Sequence, residues 1–363
     1  MSTVHVVVPE GIDDPAQVSG GNRYDRLVCD GLRAVGWRVA EIAAPGAWPR
    51  PATAALRSLA AALDALPDGA LVLVDGLVAS ATAAVLVPRS GRLRLVVLVH
   101  MVFGGDSSVD AVADEDEAAV LEAALAVVTT STWTRRLLLD RYRLPPGRVH
   151  VAQPGTEPAP AGRGTADGGR LLCVGAMTPL KGQDLLLEAL VATAGLPWRG
   201  AFVGSPDRDP LFAAELERRA ADGGIAHRLR WAGVLTGADL AREYRDADLL
   251  VLPSRTEAYG MVVTEALAAG VPVAAAAAGG VAEALGRTPA GVPGLLVPPE
   301  DPGALAAALE RWLTDAGLRD RLRRAALRRR EALPGWDATC RRLRSVLAAV
   351  RSEPDPVAHR VPR

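Results

Sequence analysis

Residues 253–267 read Pro-Ser-Arg-Thr-Glu-Ala-Tyr-Gly-Met-Val-Val-Thr-Glu-Ala-Leu: a strand's exit, a loop ending at Gly260 and a helix start. Gly260 lets backbone approach a ligand closely, and the amides after it have no partners within the helix. Such a helix start suits phosphate, because its free N–H groups and its dipole both favour an anion. Glu265 follows in an otherwise apolar stretch with Val262, Val263, Leu267 and Ala269 around it. A carboxylate there is costly to bury unless something hydrogen-bonds it. Ribose hydroxyls would serve, as acids do in other nucleotide sites. A partly solvated glutamate favoured by the helix dipole is the plainer reading, and these residues alone leave both open.

Other candidates are weaker in isolation. A lone histidine such as His100 is more often a hydrogen-bonded structural residue than a reactive one, and a lone Lys181 reads as a solvated helix-start lysine. Asp-x-Asp, a metal-holding spacing, occurs at Asp114/Asp116, Asp207/Asp209 and Asp246/Asp248. The first suits helix-start acids, the second a turn and the third a helix end before a strand, so no metal is expected. Gly-x-Gly-x-x-Gly, a Walker loop and His-Glu-x-x-His do not occur, which leaves nicotinamide, P-loop and zincin chemistry without support.

Those residues need a scaffold. At 363 residues the chain exceeds one ordinary core, so two domains are expected. Only 4% of residues are aromatic, and Ala, Val and Leu carry the apolar mass, which suits helices on buried parallel strands. A net charge of −1 gives no field for nucleic acid. Cys29, Cys173 and Cys340 are far apart, without the spacing of a zinc or dithiol site. A strand-like start without a signal peptide, and no long uncharged apolar run, point to a cytoplasmic protein without a membrane span.

Short apolar runs at residues 4–8, 38–42, 71–74, 95–99 and 126–129 read as buried strands, with helices at 22–35, 52–66, 78–87 and 115–124. Residues 153–170 turn to Pro, Gly, Ala and Thr without a hydrophobic period, as a linker does. The alternation restarts with strands at 171–174, 201–203, 229–231, 249–252 and 271–275 and helices at 183–194, 211–221, 238–245 and 262–269. Helices at 304–313, 318–330 and 336–350 follow. The seven arginines of residues 319–330 alternate with apolar positions, which reads as a solvated helix with its apolar stripe on the core rather than a membrane-surface face. The expected architecture is α/β, two doubly wound parallel-sheet domains facing a cleft, with ligands at the carboxyl ends of the strands.

Glu257 and Glu265 form Glu-x7-Glu within Glu-Ala-Tyr-Gly-Met-Val-Val-Thr-Glu-Ala-Leu-Ala-Ala-Gly-Val-Pro-Val, which resembles the signature of the retaining glycosyltransferases called family four, of GT-B fold. Ser19-Gly20-Gly21-Asn22 resembles the family's glycine loop, Val99-His100 its strand-end histidine, and Val174-Gly175-Ala176-Met177-Thr178-Pro179-Leu180-Lys181-Gly182 its phosphate-binding lysine segment. Ala278-Gly279-Gly280-Val281-Ala282-Glu283 and Gly294-Leu295-Leu296-Val297-Pro298-Pro299 are similar to the segments that follow.

With a linker at 156–169 read from composition and a tail at 352–363 whose three prolines predict disorder, the resemblance implies an acceptor-side domain over 1–155, a nucleotide-sugar domain over 170–334 and a helix at 335–351 crossing back to the first domain. It implies transfer of a hexose from a nucleotide-diphosphate sugar, UDP or GDP first, with retention, no metal and no cofactor beyond the donor. Lys181 and the amides of Gly260, Met261 and Val262 would bind diphosphate, and Gly21 and Asn22 would approach it from the other domain. Glu265 would hold ribose, Val234 the base, Glu257 the sugar hydroxyls, and His100 would lie beside the reacting carbon. The acceptor would meet loops such as residues 101–109. Where many members carry arginine this chain has Ala176, so Arg255 or Arg23 would substitute, or else Lys181 and the helix end carry the charge alone. A GT-B epimerase and a nucleotide-sugar-binding protein without turnover are the alternatives.

Overall fold

The two runs of strand–helix alternation become two six-stranded parallel sheets in the computed structural model, which describes residues 2–14, 18–103 and 111–353. The chain divides into one unit of Met1–Gly155 with Trp336–Arg363 and a second of Thr156–Gly335.

In the first unit β1 (Thr3–Pro9), β2 (Arg38–Ala44), β3 (Leu71–Asp75), β4 (Arg94–Val99), β5 (Ala126–Thr129) and β6 (Val149–Val151) lie in the order β2-β1-β3-β4-β5-β6. Every residue of β3, β4 and β5 is buried, which is why these strands read as unbroken apolar runs. Their helices are α1 (Gly20–Ala34), α2 (Thr53–Asp64), α3 (Gly76–Ala79), α4 (Ala83–Leu86), α5 (Ala111–Ala123) and α6 (Thr132–Tyr142). Ser19 caps α1, its Oγ accepting from the Asn22 N–H at 3.0 Å. The single helix expected at 78–87 is instead α3 and α4. Ser80 Oγ donates to the Leu77 carbonyl, and Thr82 Oγ1 to those of Val78 and Ala79, so hydroxyls compete with the helical ladder at the break.

The second unit has β7 (Arg170–Val174), β8 (Arg199–Val203), β9 (Leu229–Gly233), β10 (Leu249–Leu252), β11 (Val273–Ala276) and β12 (Gly294–Val297), ordered β12-β11-β10-β7-β8-β9. The chain leaves β7 in one direction and β10 in the other, so these neighbours form the switch point whose carboxyl edge receives ligands in open sheets. Its helices are α7 (Gln183–Ala192), α8 (Pro210–Asp222), α9 (Gly237–Asp246), α10 (Met261–Ala268), α11 (Val281–Leu285), α12 (Pro302–Thr314) and α13 (Ala316–Glu331). Strands β6 and β12 and helices α6 and α11 were not anticipated. Three or four residues are too few to register a period, and α6 carries a polar start and many charges.

The arginine-rich α13 buries Leu318, Leu322, Ala325 and Ala326. Its arginines reach into the unit: Arg323 donates to Asp248 at 2.9 Å and to the Thr165 carbonyl, Arg319 to the Trp312 and Leu313 carbonyls, and Arg330 to Ala159. Asp248 also accepts from the Thr165 and Arg170 amides. Residues 156–169 thus lack a hydrophobic period yet are tied down by polar contacts.

A last helix, α14 (Trp336–Ser352), belongs to the first unit and runs against α1. Leu343, Leu347 and Val350 join the core of β1, β3 and α1, and a Cβ on Gly31 would meet Cys340 Sγ at 2.2 Å. Most of the expected tail, residues 354–363, lies outside the described residues. No described helix is long and apolar enough to cross a membrane.

Candidate active site

In the second unit the segment after β7 carries Lys181 and the segment after β10 carries Glu257, so both arise at the switch point. Lys181 Nζ lies 2.7 Å from Glu257 Oε2, which Ser254 Oγ also reaches at 3.3 Å. The two loops are fastened to each other. Arg255 N–H donates to the Leu180 carbonyl at 2.9 Å, and its guanidinium grips Asp184 Oδ1 and Oδ2 at 2.9 and 2.8 Å and approaches Glu300 at 3.2 Å. Arg255 therefore locks the lysine loop and is committed to carboxylates rather than standing in for an arginine at 176. Gly182, in the left-handed region, packs so closely that a Cβ would lie 2.2 Å from the Pro253 carbonyl oxygen.

Gly260 adopts φ 91°, as sequence would require of a residue turning directly into α10. Met261 and Val262 open that helix, half-buried. Glu265, one turn on, accepts a 2.7 Å hydrogen bond from the Tyr244 hydroxyl of α9. Behind Glu257, Gly280 N–H donates to its carbonyl at 2.9 Å, and the adjoining Gly279 (φ +56°) fits where a Cβ would be 1.9 Å from that same oxygen. Val234 follows the edge strand β9 and is 37% exposed, open to a flat partner such as a base.

The first unit holds a separate cluster. His100 follows β4; its Nε2 lies 2.7 Å from Asp25 Oδ1 and 3.4 Å from Asp75 Oδ2. Asp75 ends β3 and caps α3, its Oδ1 accepting from the Leu77 and Val78 amides at 2.7 and 3.3 Å. Gly21 lies against the imidazole, where a Cβ would come within 3.2 Å of Cδ2, and the edge of Tyr24 packs on the ring with centroids 5.1 Å apart. Asn22 supplies the capped amide of α1. Burial, offset by hydrogen bonding to Asp75 and by Arg26, raises the Asp25 carboxyl to about 7, and burial together with Asp25 raises Asp75. Burial lowers His100, against the pull of Asp75. The three donor groups lie within 4.8 Å of one another, a span that would admit a divalent cation, and Nε2 and Oδ1 are within hydrogen-bond distance of each other.

Sequence reasoning missed Asp25, Asp75 and Tyr244. Asp25 was legible in principle, being one helical turn after Gly21, as was Asp75, an acid closing a wholly apolar strand. Tyr244 comes from a different helix and gave no signal. Of the Asp-x-Asp pairs, Asp209 caps α8 and Asp248 grips Arg323. The side chain of Asp114 and the loop residues 104–110 lie outside the described residues. Burial pushes the Cys29 and Cys173 thiols up to about 12, far from a reactive thiolate.

Comparison with known proteins agrees with this layout. Residues 3–159 match the profile described as Glycosyltransferase Family 4, and residues 168–315 that described as Glycosyl transferases group 1. A D-inositol 3-phosphate glycosyltransferase of Frankia alni is 35% identical over 260 residues, covering 67% of this chain and 62% of that protein. The chain thus spans less than two thirds of that relative. D-inositol 3-phosphate glycosyltransferase 1 of Catenulispora acidiphila is 33% identical over 293 residues, covering 74% of this chain and 69% of its own length. Among solved structures, the Anabaena protein HepE in complex with UDP and glucose aligns with a TM-score of 0.76 at 16% identity, over 96% of this chain and all of that one. Two six-stranded parallel sheets, the ordered motif loops on their carboxyl edges and these matches place the chain in glycosyltransferase family 4, with the GT-B fold.

Proposed function

We propose that the chain is a retaining hexosyltransferase that moves a sugar from a nucleotide-diphosphate donor to a hydroxyl-bearing acceptor. The observation that carries this reading is the convergence of Lys181, Glu257 and the Gly260 helix start on one switch point, with Glu265 held by Tyr244 one turn on. In this reading Lys181 and the first amides of α10 meet the diphosphate and stabilise charge that grows on it as the sugar departs. Glu265 takes the ribose, Val234 the base and Glu257 the sugar hydroxyls. His100 serves the sugar end of the reaction, with Gly21 and Asn22 beside it. Phosphate charge is met by a lysine and a helix end, so the reading needs no metal at the diphosphate. The departing phosphate, on the face it leaves, is the natural base for the incoming hydroxyl.

Relatives named for D-inositol 3-phosphate make a cyclitol phosphate the first acceptor to try, and the UDP and glucose of HepE make UDP-glucose the first donor. One observation favours a binder without turnover. Ala176 offers no cation and Arg255 is held by Asp184, so Lys181 lacks the help that an arginine at 255 would give. A thermal-shift screen across UDP-, GDP- and ADP-sugars, followed by nucleotide release with and without acceptor, decides. A stabilising donor that is consumed supports transfer; one that stabilises but is never consumed leaves the binder; no stabilisation by any donor refutes both.

A further inference from the structure

The first unit contains a polar cluster that the donor-side assignments leave unused. Its centre is the His100 imidazole, fixed on three sides: Gly21 against Cδ2, the Tyr24 edge on the ring, and two carboxyls at Nε2. Asp75 is pinned by the α3 amides through Oδ1 and turns Oδ2 toward Nε2 at 3.4 Å. Asp25, only 2% exposed, makes the shorter contact at 2.7 Å, while its other oxygen, Oδ2, is buried and receives no N–H or hydroxyl donor, its carboxyl meeting only that of Asp75. A buried carboxyl oxygen left unsatisfied is costly, and it persists where the group has another task.

We propose that Asp25 is a positioning residue, accepting the Nε2–H of His100 so that the imidazole stands in the tautomer whose Nδ1 is an acceptor at the carboxyl edge of the N-terminal sheet. Both carboxyls address the same ring nitrogen, and an ionised carboxylate can only accept, so the ring proton belongs on Nε2 once either acid is ionised. Among the described residues no hydrogen bond involves Nδ1. An imidazole of fixed tautomer offers one lone pair in one direction, the requirement for accepting a substrate hydroxyl in a defined pose. Asp25 lies on α1 one turn after Gly21, so the glycine that makes room for the ring and the acid that orients it come from one helix face. The inference deepens the transferase reading by adding a residue to its sugar side, and it rests on that reading only for the consequence in turnover.

The test uses the full chain with its five histidines labelled at the ring nitrogens, His100 being assigned by the signal lost in His100→Gln. Two-bond nitrogen–hydrogen correlation should report His100 of the wild type as the neutral Nε2–H tautomer. The Nδ1–H form, or a doubly protonated ring at neutral pH, overturns the proposal whatever the variants do. Asp25→Ala should blur the tautomer and cut turnover about tenfold or more, while affinity for the free nucleoside, whose base and ribose contacts lie in the other unit, stays unchanged. Asp25→Asn keeps an oxygen that accepts from Nε2 and should retain the wild-type tautomer and most of the turnover. An unchanged His100 spectrum in Asp25→Ala, or an equal turnover loss in both variants at wild-type melting temperature, overturns the assignment. The tautomer is read without substrate, so its failure is distinct from failure of the transferase reading.

Discussion

Gly279→Ala probes how tightly the site's support is built. The added methyl would lie 1.9 Å from the Glu257 carbonyl oxygen, and reaching even 3.0 Å demands a displacement of about 1.1 Å. Both partners are backbone, so no side chain can swing aside. Alanine at φ +56° also costs about 1–2 kcal/mol in its own right. That strain alone lowers the melting temperature of the second unit by roughly 2–8 °C. The displacement bears on Glu257, whose misplacement by about 1 Å should reduce turnover on the order of a hundredfold. Gly224→Ala is the control: its φ is +69° and nothing lies within 4 Å of the added methyl, so strain appears without collision. The assay is melting temperature beside nucleotide release for both variants, using the donor found by the screen. A larger stability loss in Gly279→Ala than in Gly224→Ala, with turnover lost only in the former, is the expected result. Wild-type turnover in Gly279→Ala would show that the Glu257 loop is not held against Gly279 as described.

Lys181→Ala should weaken donor diphosphate about tenfold or more by calorimetry, since a charge-assisted phosphate contact is worth about 1.5–3 kcal/mol; it also frees Glu257, whose remaining contact is Ser254 at 3.3 Å. Glu265→Ala should weaken free nucleotide diphosphate and intact donor alike, whereas Glu257→Ala should spare nucleotide affinity and lower turnover roughly a hundredfold. The reverse pattern in calorimetry and kinetics would exchange the two roles. Burial holds Asp25 at about 7 in the folded chain, among Tyr24, Arg26, Cys29, Asp75 and His100, against an ordinary carboxylate value near 4. A raised acid binds its proton preferentially when folded, so its stabilisation is full below about pH 4 and fades as pH rises through about 7. Melting of Asp25→Asn should therefore gain on wild type across that window, and a difference independent of pH would contradict the raised value.

The sheets were legible because parallel strands covered on both faces spell continuous apolar runs, as Leu71–Asp75 and Arg94–Val99 do apart from their end residues. The donor-side loop was legible because glycine at 260 and acids at 257 and 265 announce conformation and charge locally. Short strands such as Val149–Val151 escaped because their partners, not their composition, define them. Arg255 was readable as a cation, but its engagement with Asp184, 71 positions earlier, is a tertiary fact. Tyr244 was hidden for the same reason: it acts on a residue of another helix.

The return of α14 gives the chain a nested order of assembly. The second unit is one continuous stretch, Thr156–Gly335, whereas the first needs Leu343, Leu347 and Val350 from beyond it to close its core and Trp336 to meet Tyr24. Emerging from a ribosome, the first 155 residues must wait while 180 more are made, about 9–36 s at ordinary synthesis rates. During that interval the face of α1 around Gly31 and Tyr24 lacks its cover. The later-made unit can fold first, and the earlier one is completed only when α14 appears.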